Sequence, residues 1–284
     1  MNNPVSSIPE TGPGIVIPTS VGRLHPSLAL RDLREALLDW RLWGMLGWQD
    51  IKQRYRRSTL GPFWLTLSMG VMVGSIGLVY AVIFGQELHE YLPYVALGFV
   101  AWGFISGVMI DGCSAFVSSD AIIKQSRLPL SLHVFRVVWR QLITLGHNFV
   151  IFIVVAVIFR VWPTPYALLF IPGMLLWVLN SVWVTLILGL ICARYRDIPQ
   201  IVNSVIQLGF LVTPIIWKAQ LMTRRAVFVD ANPLHHFIEI VREPLLGGAP
   251  AAISWFYVLA VTVAGWIVTF ELFRRYRWRI AYWL

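Results

Sequence analysis

Residues 31–84 read RDLREALLDW RLWGMLGWQD IKQRYRRSTL GPFWLTLSMG VMVGSIGLVY AVIF. The first half carries apolar side chains at helical spacing with cations between them. The second half, from Pro62 to Phe84, is 23 residues without a charge. At about 1.5 Å per residue such a run crosses a hydrocarbon core of about 30 Å. The chain therefore runs along a membrane surface and then enters the membrane.

In the first half, Leu33, Leu37, Trp40, Gly44, Trp48, Ile51 and Tyr55 recur at spacings of 4, 3, 4, 4, 3 and 4, one stripe of a helix. Arg31, Arg34, Arg41, Lys52 and Arg56 fall off that stripe. Residues 28–60 are expected to form one amphipathic interface helix. Such a helix can pass movement from a soluble partner to the first span, and the same stripe also suits plain anchoring on anionic headgroups.

Composition points the same way. Hydrophobic residues make up 57% of the chain and charged ones 13%, about half the charged share of soluble domains, so a soluble domain is excluded. Fourteen Trp suit a protein with much membrane interface. The net charge of +9 is spread over cations that flank apolar runs instead of lining a wet face, which argues against nucleic acid. Cys113 and Cys192, 79 residues apart, show neither metal spacing nor a disulfide framework and read as packing residues.

Further charge-free runs extend over Leu92–Ile110, Gln141–Phe159, Val161–Ala193, Ile198–Trp217 and Pro244–Phe270. The expected fold is all-α and polytopic, with six spans at about 62–84, 92–117, 138–160, 166–193, 198–217 and 250–273. With both termini inside, 18 of the 23 Lys and Arg fall on the cytosolic side, which fixes the expected orientation. Residues 1–27 are rich in Pro, Gly and Ser, lack the basic start and apolar core of a signal peptide, and read as a disordered tail.

Three connections stand out. Residues 118–136, with Lys124, Arg127 and Pro129, are long for a turn; they have room for a short helix that a partner grips, and also suit a solvated basic loop. In Arg194-Tyr195-Arg196-Asp197, followed by Pro199, Asp197 is a candidate helix cap. On the outer side, within residues 218–249, Asn232-Pro233 precedes an apolar piece too short to span, ended by Gly247 and Gly248. That pattern reads as re-entrant helices, whose backbone must be buried in protein or line a cavity. His235 and Glu239 stand at i, i+4 but are only two candidate ligands, and no metal is assigned.

No Gly-x-x-x-x-Gly-Lys-Ser/Thr occurs, so the chain builds no phosphate loop of that kind. Polar groups in the spans, Asp111, His147, Asn148, Asn180, Asn203, Gln207 and Glu271, include too few acids for an ion relay and suit hydrogen bonds between helices. Aromatic rings crowd spans one, two and five: Phe63, Trp64, Tyr80, Phe84, Tyr94, Phe99, Trp102, Phe104, Phe210 and Trp217. Such rings stack on the apolar faces of sugars and can line a path for them. They also form ordinary interface belts, so mid-span Phe99, Trp102 and Phe210 are the better path candidates.

Asp50-Ile51-Lys52-x-Arg54-Tyr55 with Leu60-Gly61-Pro62-Phe63-Trp64, Arg194-Tyr195-Arg196-Asp197-Ile198, Thr213-Pro214-Ile215 and Asn232-Pro233-Leu234 together carry a resemblance. From about Leu28 to the end the chain resembles the transmembrane subunits of type-2 ABC exporters for lipid-linked polysaccharides such as O-antigen, capsule and teichoic acid. The resemblance implies a homodimeric permease in the inner membrane, paired with two copies of a separate ATPase that binds ATP and Mg, and a glycan on polyprenyl diphosphate as cargo. It implies no cofactor in this chain. It further implies ATPase coupling through the surface helix and the first cytosolic loop, by Trp48, Ile51, Lys52, Arg54, Arg57, Lys124, Arg127 and Pro129. Path residues are then Phe63, Trp64, Tyr80, Trp102, Phe210 and Trp217, and an external gate is expected at Asn232, Pro233, Phe237 and Glu243. A related exporter of a drug, haem or lipid is the alternative. A membrane enzyme acting on polyprenyl-linked sugar would need paired carboxylates, and Asp111, Asp120, Asp197 and Glu271 stand isolated.

Overall fold

A computed structural model describes residues 26–56, 61, 63–219 and 227–284. The expected tail up to residue 25, Arg57, and the part of the outer connection at 220–226 lie outside the described residues. Every regular element among the described residues is helical.

The surface segment is two helices, α1 (Pro26–Leu38) and α2 (Trp40–Arg54), where the apolar stripe implies one. They meet at Asp39, whose backbone leaves the helical region with φ −81° and ψ 39°. The first span is α3 (Phe63–Ile83) and the second is α4 (Leu88–Cys113). A one-turn segment then leads to the short α5 (Asp120–Gln125), the helix for which the loop has room. The long α6 (Ser131–Ile158) follows, and a turn at Pro165–Leu169 leads into α7 (Phe170–Arg194).

The fifth apolar run divides. Its helix, α8 (Ile198–Val212), has 15 residues, about 22 Å at 1.5 Å per residue and short of the hydrocarbon thickness. The cause is Pro214, which drives the preceding Thr213 into extended backbone, φ −84° and ψ 135°. Thr213–Trp217 then runs irregularly to the end of the bundle opposite the basic face. Beyond it lie α9 (Val227–Asp230), α10 (Pro233–Leu245), α11 (Ala252–Tyr276) and a C-terminal α12 (Ile280–Trp283). Among the described residues five helical stretches, 63–83, 88–113, 131–158, 165–194 and 252–283, are long and apolar enough to cross a membrane, and this is an all-α multi-pass membrane protein.

At the centre stands α4. It packs on α3, α6, α7, α8 and α10 and buries nearly everything from Tyr91 to Phe104. Phe104 stacks on Trp177 of α7 with centroids 5.2 Å apart and planes within 5°. A second core, of Ala29, Phe116, Val134, Val138, Leu186, Leu190, Phe273 and Ile280, gathers the end of α7 and the start of α6 against α1, α11 and α12. Polar side chains within the spans bind helix to helix. Asn180 of α7 donates to Thr262 Oγ1 of α11 at 2.7 Å and accepts from Trp183 at 2.7 Å.

Candidate functional site

At the basic face the surface helix is held by charge. Arg136 Nε donates to Asp50 Oδ2 at 2.7 Å, and its Nη2 takes the other oxygen. One turn on, Arg140 bridges two acids, donating to Asp50 Oδ2 at 2.9 Å and to Asp111 Oδ2 at 2.8 and 3.1 Å. Gln141 also donates to Asp111, and Arg54 of α2 stands 3.7 Å from it. Both carboxylates and both α6 guanidiniums are at most 19% exposed, where paired, forked hydrogen bonds count for more than at an open surface. Asp50 of α2 and Asp111 of α4 are thus tied through Arg140 of α6, and Arg136 adds a second hold on Asp50. By sequence Asp50 belongs to the Asp50-Ile51-Lys52 motif and Asp111 stands alone in its span; the structure brings them together, and the one sequence signal of it is Arg136 and Arg140 at i, i+4.

A second carboxylate ties three parts of the chain. Asp32 of α1, nearly buried, accepts from Ser131 N at 2.9 Å, Ser131 Oγ at 2.7 Å and Leu130 N at 3.1 Å, capping α6 from outside. Arg277, past the end of α11, reaches the same carboxylate at 3.3 Å.

The two coupling candidates on the presumed stripe separate. Ile51 is 3% exposed and packed inward, whereas Trp48 is 47% exposed. The face of α1 and α2 turned to the protein is built of Ala29, Asp32, Ala36, Gly47 and Ile51, and a Cβ on Gly47 would stand 2.9 Å from Trp139 and 3.1 Å from the Arg136 carbonyl. Leu30, Leu37, Trp40, Met45 and Trp48 face away. The stripe therefore mixes two faces, because both are apolar. Lys52 and Arg54 are exposed at the same edge. Lys124 pairs with Asp120 at 2.9 Å on α5, and Arg127 and Pro129 follow it. Asp197 precedes α8 but makes no side-chain cap, so that expectation fails.

The path candidates do not form one cluster. Trp102 and Phe99 of α4 meet Phe210 of α8 with centroids 5.7 Å apart in each pair. These rings, with Met69, Met72 and Leu211, line an open apolar groove of about 500 Å³ between α3, α4 and α8. Tyr80 stands near the C-terminal end of α3 in a chain of rings with Phe84 and Tyr91. Phe63 and Trp64 are exposed at the N-terminal end of α3, and Trp217 lies in the irregular segment after α8.

At the face opposite the basic one, Thr213-Pro214-Ile215 meets Asn232-Pro233-Leu234. Asn232 caps α10, accepting from Leu234 N at 3.0 Å, and its Nδ2 donates to Thr213 Oγ1 at 2.9 Å. The backbone that follows Thr213 is gripped through its carbonyls. Tyr94 donates at 3.0 Å to those of Pro214 and Trp217, Tyr91 to that of Ile216, and the buried Arg242 of α10 to Pro214 O at 2.9 Å. The Arg242 guanidinium lies 3.9 Å over the Tyr94 ring. Phe237 accepts through its carbonyl from Trp177 at 2.8 Å. Glu243, beside Arg242 and Lys218, borders a polar crevice of about 640 Å³, and burial pushes its carboxyl above the usual range. Burial likewise lowers the His235 pKa to about 4, against the pull of Glu239, so the ring is neutral near pH 7.

All of these features except the Asp32–Arg277 contact and the face of α1 lie within a region that matches a known family: residues 41–246 fit the ABC-2 type transporter description. The chain belongs to that family. Within ABC-2 transporters it is 24% identical over 189 residues, 66% of its length and 73% of the other, to the O-antigen export system permease protein RfbA of Myxococcus xanthus. It is 22% identical over 242 residues, 82% of its length and 91% of the other, to a protein of the same name from Klebsiella pneumoniae. The ABC-2 chain is thus a membrane permease subunit of an ABC transporter.

Proposed function

We propose that this permease, as a pair of copies, exports an O-antigen-type glycan on polyprenyl diphosphate across the inner membrane, driven by two copies of a separate ATPase. The names of its relatives support the cargo, and the cationic bias supports cytosolic termini. The observation that carries the mechanism is the Asp50–Arg136–Arg140–Asp111 network. A push on α2 is delivered at once to α4 and α6, so ATPase movement at the basic face reaches the helices around the aromatic groove. Lys52 and Arg54 of α2, and Lys124, Arg127 and Pro129 around α5, form the docking edge for the ATPase, to which Arg57, outside the described residues, is assigned from the sequence alone. In this reading Asn232, Pro233, Phe237 and Glu243 belong to an outer gate of re-entrant helices, and the groove with Trp102 and Phe210 belongs to the path.

The test is deletion of the gene, followed by separate assays of lipid-linked glycan retained in the cytosolic leaflet and glycan displayed outside. Intracellular accumulation with loss of surface glycan, restored by the wild-type gene, is the expected result. Unchanged surface glycan sinks the cargo assignment. Purified chain is expected to hydrolyse no ATP until its ATPase is added, and turnover by the chain alone, free of contaminants, removes the division of labour.

A further inference from the structure

We propose that His235, His236 and Glu239 of α10 form a binding site for a divalent transition-metal ion of the zinc class on the outer face. Their ligating atoms all lie within 4.8 Å of one another. Glu239 Oε2 is the focus, 3.4 Å from His235 Nε2 and 3.9 Å from His236 Nδ1. Neighbouring ligands of a tetrahedral zinc with bonds of about 2 Å stand roughly 3.3 Å apart, so His235 is nearly in place against Glu239, and closing the widest of the three separations, at most 4.8 Å, takes side-chain movement of up to about 1.5 Å.

The second contacts of these groups orient them for an ion. His236 Nε2 lies 2.9 Å from the Asp230 carbonyl, which can only accept, so this nitrogen carries the proton. In that tautomer the Nδ1 lone pair faces Glu239 and Ser254. Stacking on Tyr257, with planes within 11°, holds it there. A backbone carbonyl that fixes the imidazole tautomer is the usual support of a metal-bound histidine.

Around Ser254 the cluster is one positive charge short. Its hydroxyl lies 2.6 Å from Glu239 Oε2 and 2.8 Å from His236 Nδ1, two acceptors for one hydrogen. A cation between carboxylate and imidazole resolves that conflict. His235 Nδ1 has no hydrogen-bond partner in the structure and is buried. The ion has room, because the three residues line a cavity of about 260 Å³ with Asp230 and Glu243. These two acids offset Arg242, whose guanidinium is turned to Pro214 and Tyr94. Nitrogen and carboxylate donors together suit zinc better than magnesium or calcium.

The experiment uses the full chain, purified through a tag without histidines and carrying Cys113→Ser and Cys192→Ser so that thiols do not compete. Zinc is titrated against a competing chelator, and bound metal is counted after dialysis. One zinc per chain is expected, with affinity roughly tenfold or more weaker in His235→Ala and in Glu239→Gln. Glu239→Gln keeps the shape and an acceptor for Ser254, so it remains informative if His235→Ala folds poorly; matched unfolding midpoints without metal show that both variants are folded. Absence of zinc binding by the parent overturns the proposal, since a proton then supplies the missing charge. Equal binding by parent and both variants also overturns it, by placing the ion elsewhere. Neither result bears on glycan export.

Discussion

Arg140 sits between two carboxylates, and its removal leaves both Asp50 and Asp111 short of a partner in a mostly buried setting. Asp50 keeps Arg136, and Asp111 keeps Gln141 with Arg54 nearby, so the cost falls below the about 3 to 5 kcal/mol of a fully stranded buried charge. Arg140→Met is therefore expected to lower the unfolding midpoint in detergent by several degrees, and an unchanged midpoint refutes the cost assigned to the network. Asp50→Asn and Arg136→Met contact each other directly, so their effects should fall short of adding. A double-mutant cycle measures this, and strict additivity would show the pair to be idle. The sequence displayed Asp50 in a motif and Arg136 and Arg140 one turn apart. It did not display the pairing, because partners 86 and 90 residues away are joined only by tertiary packing.

Helix α2 presents apolar residues on two sides, and period alone cannot say which side meets protein. That decision rests on size. Gly47 lets α2 approach α6 closely, while Trp40, Met45 and Trp48 are left outside. Trp48→Glu should leave abundance near normal and weaken seating at the membrane, lowering export. Ile51→Glu should lower abundance itself, since it buries a carboxylate. Blotting of membranes beside an export assay separates the two, and equal abundance would mean that the faces are assigned wrongly. In the groove, Trp102 is 8% exposed whereas Phe210 is only partly buried. Trp102→Ala opens a cavity worth about 3 to 5 kcal/mol and should reduce abundance. Phe210→Ala should reduce export with smaller loss of protein, and full export by Phe210→Ala counts against a role in the path. The spans were legible because long charge-free runs have few other fates. The early end of α8 was written in Thr213-Pro214, yet an apolar run extending to Trp217 hid it.

Taken whole, the chain leaves an apolar groove with aromatic walls open on one flank between α3, α4 and α8. A second copy facing that flank would enclose a path. Met72→Cys or Leu211→Cys, with the native cysteines replaced by serine, should cross-link two copies with a short thiol reagent. Val263→Cys, on the exposed side of α11, should not. Cross-linking through Val263 alone would move the dimer face. The arrangement of copies could not be read from the sequence, because lipid-facing and partner-facing residues are both apolar. Asp32 adds a matter of timing. It precedes the five long apolar helices in sequence, and its arginine partner follows 245 residues later, roughly 10 to 50 seconds at ribosomal rates. The α6 amides reach Asp32 midway, but its countercharge comes only once α11 has been made. Until Arg277 emerges the basic face lacks its final clasp, so a chain arrested within α11 is chemically distinguishable from one that has passed it.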